Sequence, residues 1–166
     1  MTLTHKARTF WPLVFLLVLS DCATKRLAEE RLVVPHVPHD VIGEWVQFTL
    51  AYNPGAAFGI TAGQHSRWIF TILASLVLVV LVRLYRETPS WDRWQGAALA
   101  LVVGGALGNV LDRLRSPRGV VDFIDIGIGD LRFWTFNLAD VGVTVGALLL
   151  ATILLRRVPE QEPSST

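Results

Sequence analysis

"WQGAALALVVGGALGNVL", Trp94 to Leu111, runs for 18 residues without a charge. A helix crossing the hydrocarbon core of a bilayer takes about 20 residues, so this stretch nearly spans a membrane by itself. Arg93 and Arg113 flank it, and long cationic side chains reach from the apolar zone to the headgroups. Three further apolar runs surround it: Thr9 to Thr24, with Asp21 as its one charge, Trp68 to Val82, and Val141 to Leu155. The last lengthens if it starts at Phe133 and tolerates Asp140. Together they predict four transmembrane helices, at approximately 9–26, 67–86, 94–113 and 137–157. Trp11, Trp68, Trp91, Trp94 and Trp134 stand at or just before the start of a run, where an amphipathic ring prefers the headgroup level.

Composition agrees. Of 166 residues, 52% are hydrophobic and only 17% charged, with a mean hydropathy of +0.46, which is membrane composition. A net charge of +1 and no basic cluster interleaved with aromatics exclude nucleic-acid binding. A single cysteine, Cys22, excludes an internal disulfide. His5, His36, His39 and His65 lie outside the apolar runs; "VPHVPHD" is broken by proline, lacks a third ligand and reads as a solvated loop. No metal and no cofactor are expected.

The fold class is therefore a membrane all-α core of four transmembrane helices, with a small β-sheet element on one face. Residues 1–158 form one membrane-embedded domain and 159–166 a disordered tail. Both long connections lie on the same side. In the first, "WVQFTLAY" (Trp45 to Tyr52) reads as a strand, "NPG" (Asn53 to Gly55) as a turn and "AAFGI" as a second short strand, within a β-containing loop at 40–60. In the second, "GVVDFIDIGIGDLRFW" reads as strand, turn and strand. Basic residues divide seven against eight between the two sides, so the positive-inside rule does not orient the chain.

"FLLVLSDCATK" (Phe15 to Lys25) looks like the cleavage site of a lipoprotein precursor. A cleavage site needs a small residue before the cysteine, and here it is Asp21. Lys25 stands one helical turn on and can pair with Asp21, which favours a retained helix with a polar end.

Ionisable groups inside spans are functional candidates by default. The topology gathers Asp21, Asp112, Asp122 and Asp140 at one depth on the side of the long loops. Gly105, Asn109 and Asp112 form one stripe, and Asn137 and Asp140 share a face. Gly104 and Gly108 fit close helix packing, Asp112 and Arg113 an ion pair at a helix end, and Asp125 and Asp130 ordinary loop acids. No serine–histidine pair stands in the spans and Cys22 has no histidine beside it, so nucleophilic catalysis is poorly supported. Two close aspartates can share a proton, one activating water while the other protonates a scissile carbonyl. Spacing alone leaves open which two pair. A rival reading, a proton-coupled transporter, would be expected to show an internal repeat; none is visible.

Five segments in order, "DCATK" (21–25), "AYNPGAAF" (51–58), "GGALGNVLDR" (104–113), "VVDFID" (120–125) and "FNLAD" (136–140), resemble the bacterial lipoprotein signal peptidase family, signal peptidase II. The resemblance implies an aspartic endopeptidase with four membrane helices and both termini cytoplasmic. It implies a multi-pass protein of the bacterial cytoplasmic (inner) membrane, its sheet extracytoplasmic and its active site near the outer leaflet. The implied reaction removes the signal peptide of prolipoproteins before a diacylglyceryl-modified cysteine. By motif, the resemblance makes Asp122 and Asp140 the catalytic pair. It places Asp21, Lys25, Asn53, Gly55, Gly105, Gly108, Asn109, Asp112, Arg113, Asn137 and Ala139 around substrate and pair. Cys22 departs from the family, where glutamine is frequent. The implied partners are diacylglyceryl prolipoproteins and membrane phospholipid, with the chain acting as a monomer. Separately, the arginines on the side of the long loops lead to the expectation that Arg113, Arg115 or Arg118 meets lipid headgroups.

Overall fold

A computed structural model describes residues 4–55 and 60–156. It contains α1 (His5–Arg31), β1 (His39–Ile42), β2 (Val46–Asn53), a 3-10 turn (Gly63–His65), α2 (Ser66–Glu87), α3 (Arg93–Arg115), β3 (Val120–Ile128), β4 (Leu131–Arg132) and α4 (Leu138–Leu155). The expected tail at 159–166 and residues 56–59 of the "AAFGI" strand lie outside the described residues.

Each of α1 to α4 is long and apolar enough to cross a membrane. In α3, 56% of the most apolar window is buried, against 11–17% in the other three, so α3 is the central helix and the others turn most of their surface to lipid. Small residues explain why α3 can sit there. A methyl group added at Gly104 would meet Leu17 and Val14 of α1, and one at Gly105 would run into the Ala139 backbone oxygen of α4. Phe10, Val14, Leu81, Leu99, Ala100 and Val103 pack as the core at the end holding the α1 N-terminus. There the Lys6 ammonium reaches the carbonyl oxygens of Tyr85 (2.8 Å) and Thr88, closing the C-terminus of α2. Such carbonyls have no partner within their own helix.

Helix α1 runs past its apolar stretch at both ends. Thr4 caps its start, and its last turns leave the apolar zone to pack Ala28 and Leu32 on Leu50, Val121 and Phe123 of the sheet. The sheet is antiparallel in the order β1-β2-β3-β4. The long connection between α1 and α2 thus pairs its strand with the connection between α3 and α4, which sequence order alone does not reveal. His39 opens β1 rather than lying in a loop, although it and His36 are exposed. After β4 the chain folds back along β3, with Phe136 donating to and accepting from the Ile124 backbone at 3.0 and 2.8 Å. That return delivers Asn137 and the start of α4 beside Asp122.

Candidate active site

The polar groups of α1, α3, β3 and α4 meet where the sheet rests on the helices. Asn137 is fully buried and caps α4: its Oδ1 accepts from the Asp140 amide at 3.0 Å, and Asp140 Oδ2 accepts from the Asn137 amide at 3.2 Å. This reciprocal capping box fixes the Asp140 side chain over the first turn. Asn137 Nδ2 also donates to Asp122 Oδ1 at 2.6 Å and to the Val121 carbonyl at 3.3 Å. One asparagine therefore joins the two aspartates. Asn109 completes the link from α3, donating from Nδ2 to Asp140 Oδ1 at 2.8 Å.

A second tier lies beneath. Lys25, 2% exposed, donates to Asp21 Oδ2 and Asp112 Oδ2, each at 2.8 Å, and to Asn109 Oδ1 at 2.9 Å. Asp21 is fully buried, and its other oxygen accepts from the Ala139 amide at 2.9 Å, tying α1 to the start of α4. Asp21 thus lies inside one unbroken helix, where it and Lys25 are the buried residues of the lipoprotein-like string, while Phe15, Leu16 and Leu19 are exposed. Asp112 Oδ2 accepts from the Val121 amide at 3.3 Å, next to Asp122. The close approach of Gly108 to Asp21 and Ala139 leaves no room for a side chain there.

The roof comes from β2. Asn53 Nδ2 points at Asp122 Oδ2 at 3.4 Å, and its Oδ1 accepts from the Gly55 amide at 2.9 Å. Arg113, 8% exposed, donates to the Gly55 carbonyl at 2.6 Å and to the Asn109 carbonyl at 3.2 Å. The residues that the resemblance places around substrate and pair thus lie close to one another and to Asp122 and Asp140.

Asp122 and Asp140 both face a cavity of about 700 Å³. Asn53, Asn109 and Arg113 supply further polar groups, while Phe133, Trp134, Phe136 and Val141 supply apolar walls. Burial pushes the Asp122 carboxyl from the ordinary 3.8 up to about 7, and the Asp140 charge pushes the same way. The amides of Asn137 and Asn53 and the charge of Lys25 pull it back. Near neutrality Asp122 therefore stands between its protonated and ionised forms. Among the described residues, no three His, Cys, Asp or Glu side chains group as a metal site requires.

Two expectations fail. Asp112 and Arg113 do not pair with each other: neighbours on a helix point about 100° apart, so Asp112 turns to Lys25 and Arg113 to Gly55. Of the three arginines expected near headgroups, Arg113 is buried and bonded to Gly55 and Asn109, Arg118 is held by Glu29 at 3.0 Å, and Arg115 is exposed. Asp125 is no ordinary loop acid. It is 7% exposed, accepts from Arg132 Nε at 2.8 Å and Thr49 Oγ1 at 3.1 Å, and so pins β2 and β4 to β3. It follows a continuous buried run, Val120 to Phe123, and shares the side of the strand that Phe123 faces.

Comparison with known proteins gives one consistent result. The family model described as signal peptidase (SPase) II matches residues 13–156. The chain is 39% identical over 148 residues to a lipoprotein signal peptidase of Hydrogenovibrio crunogenus, covering 86% of this chain and 81% of that protein. It is 37% identical over 166 residues to one of Coxiella burnetii, covering 96% and 99%. A bacterial membrane enzyme solved by the in meso method at 2.3 Å superposes with a TM-score of 0.83 at 30% identity, covering 99% of each chain.

Proposed function

The chain belongs to the signal peptidase II family, and from that premise we propose that it removes the signal peptide of prolipoproteins through water activated by Asp122 and Asp140. The observation that supports this most is the placing of both carboxyls on one cavity, joined by Asn137, with Asp122 able to keep a proton up to about pH 7. One carboxylate takes a proton from water as the oxygen attacks the scissile carbonyl. The other carboxyl gives its proton to the carbonyl oxygen. As the tetrahedral intermediate collapses, the proton taken from water passes to the leaving nitrogen, the amide C–N bond breaks, and one hydroxyl proton of the intermediate returns to the carboxylate that protonated the carbonyl. No covalent intermediate with the enzyme forms.

The remaining contacts have roles in that scheme. Asn137 and Asn109 hold the two carboxyls in fixed rotamers, and preorganisation of this kind keeps a reacting geometry without reorganisation. Lys25, Asp21 and Asp112 brace the helices that carry them. The apolar walls of the cavity suit the substrate segment beside the cleaved bond, and the lipid-facing helices leave the diacylglyceryl chains in the bilayer. On this reading the site lies near the outer leaflet, both termini are cytoplasmic and the chain acts as a monomer.

The test is cleavage of a diacylglyceryl-modified prolipoprotein by purified protein in detergent, with folding of each variant checked. Wild type cuts, Asp122→Asn and Asp140→Asn do not, and Asp112→Asn retains part of the activity. A folded Asp122→Asn variant with near-normal turnover would end the pair as assigned. A folded wild type that never cuts the lipidated substrate would end the peptidase reading.

A further inference from the structure

Glu29, Tyr52 and Arg118 come from three separate elements and meet beside the cavity. The Tyr52 hydroxyl donates to Glu29 Oε1 at 3.0 Å. Arg118 Nη2 donates to the same oxygen at 3.0 Å, and its guanidinium lies 3.8 Å from the centre of the Tyr52 ring. Burial and the neighbouring Glu29 raise the Tyr52 phenol above its ordinary 10, so it remains a donor at any working pH. Tyr52 itself lines the cavity, and the next residue is Asn53, whose amide points at Asp122.

The loop carrying Arg118 also presses on the end of β2. Gly119 has φ of +94°, and a Cβ there would run into the Asn53 carbonyl and Pro54. Backbone of this hand suits glycine, and here the missing side chain also allows the contact. Asn53 pairs with Val120 in the β2–β3 ladder, directly after that glycine. The end of β2 is thus gripped from the α3–β3 loop and tied to α1 through one carboxylate.

We propose that Glu29, Tyr52 and Arg118 form a latch that seats the end of β2 on α1 and so holds the Asn53 amide against Asp122. The three are positioning residues acting through Asn53, and the inference rests on the assignment of Asp122 to the reacting pair. The Arg118–Glu29 pair is partly exposed, at 58% and 37% of the two side chains. Exposed pairs contribute little to folding, so loss of the latch separates from loss of the fold. Its effect falls on the Asn53 hydrogen bond, which at 3.4 Å is already long and leaves little tolerance. Asp122 is otherwise faced by the charges of Asp140 of α4, Lys25 of α1 and Arg113 of α3, and Glu29, Tyr52 and Arg118 have no hydrogen bond or ion pair to any of them among the described residues.

The experiment compares wild type, Arg118→Gln, Tyr52→Phe, Asn53→Ala and the Arg118→Gln/Asn53→Ala double variant on a diacylglyceryl prolipoprotein. Asp122→Asn runs alongside, and unfolding midpoints are measured for all. Arg118→Gln is expected to lower kcat about tenfold, the scale of one lost hydrogen bond to a charged group, with KM nearly unchanged. It also moves the alkaline limb of the pH profile upward, because ionised Asp122 has lost a donor. In the Asn53→Ala background Arg118→Gln has no further effect, since both remove the same interaction. Tyr52→Phe keeps the ring under Arg118 but loses the bond to Glu29, and shows the same pattern more weakly; it stands in if Arg118→Gln fails to fold. Losses that multiply in the double variant, or an unmoved alkaline limb, overturn the latch. If Asp122→Asn stays active, the assignment of Asp122 falls and the latch's route to catalysis falls with it. If Asp122→Asn is dead while the losses multiply, the latch alone is refuted.

Discussion

Replacing Lys25 by methionine tests the buried tier beneath the reacting pair. Methionine keeps the unbranched length of the side chain and removes only the ammonium. In the native protein that ammonium spends its three protons on Asp21, Asp112 and Asn109, all within 2.9 Å. Asp21 is fully buried and the Asp112 side chain is 12% exposed. Without Lys25 two carboxylates face each other with no cation between them. Removing one partner of a buried ion pair costs roughly 3–5 kcal/mol, because it strands the other charge. The upper end applies if both stay ionised, the lower end if they take up a proton. Even 3 kcal/mol shifts a folding equilibrium by more than about a hundredfold. The assay is unfolding in mixed micelles, titrated with a denaturing detergent and followed by tryptophan fluorescence. Lys25→Met/Asp21→Asn is measured in parallel. The double variant should recover a substantial part of the loss, since it removes one stranded charge, giving a coupling of about 0.5–3 kcal/mol. A single-variant loss below about 1 kcal/mol, or a double variant as unstable as the sum of its parts, would refute the claim that this tier is an electrostatic brace.

Two further outcomes follow from the same geometry. The Asp122 carboxyl ionises near pH 7 in the folded protein and near 3.8 when unfolded, so between these values the folded form binds the extra proton. Its contribution to stability is complete below the unfolded value and is lost as pH rises through 7; kcat/KM, which needs the one-proton pair, falls about tenfold per unit well above pH 7. A profile flat to pH 9 contradicts this. Gly105→Ala drives a methyl group into the Ala139 backbone oxygen at the start of α4, with a stability loss of about 1–3 kcal/mol and a drop in turnover as Asp140 moves. Gly96→Ala meets only side-chain and backbone atoms of Lys6 at 3.3 Å or more and should stay near wild type in both measurements.

Much of the site was legible because it obeys short-range rules. Helical periodicity alone put Gly105, Asn109 and Asp112 on one face, and the structure turns that face to Ala139, Asp140 and Lys25. The Asp21–Lys25 pair is one turn of a single helix. The Asn137–Asp140 capping box is likewise local, three residues apart. Partners that come from different elements were not legible. Nothing in the spacing says that Lys25 rather than Arg113 neutralises Asp112, because the choice depends on how α1 packs against α3. Asp125 looked like an ordinary loop acid, and the pairing of Arg118 with Glu29 was not visible, since their partners lie on other elements; Asp125 bonds Thr49 of β2, far away in sequence.

By itself, the sequence determined the four spans, the concentration of extramembrane chain on one face, and the gathering of four aspartates at one depth. Each follows from apolar run length and the alternation of antiparallel helices. Which groups bond emerges from the packing of the elements. That packing pairs β2 with β3, returns Phe136 along Ile124, and brings a single asparagine between Asp122 and Asp140. The physical reason is range. Hydropathy and helical phase are set within a few turns of chain, whereas a hydrogen bond is decided by tenths of an ångström between elements whose relative placement depends on every packed side chain between them.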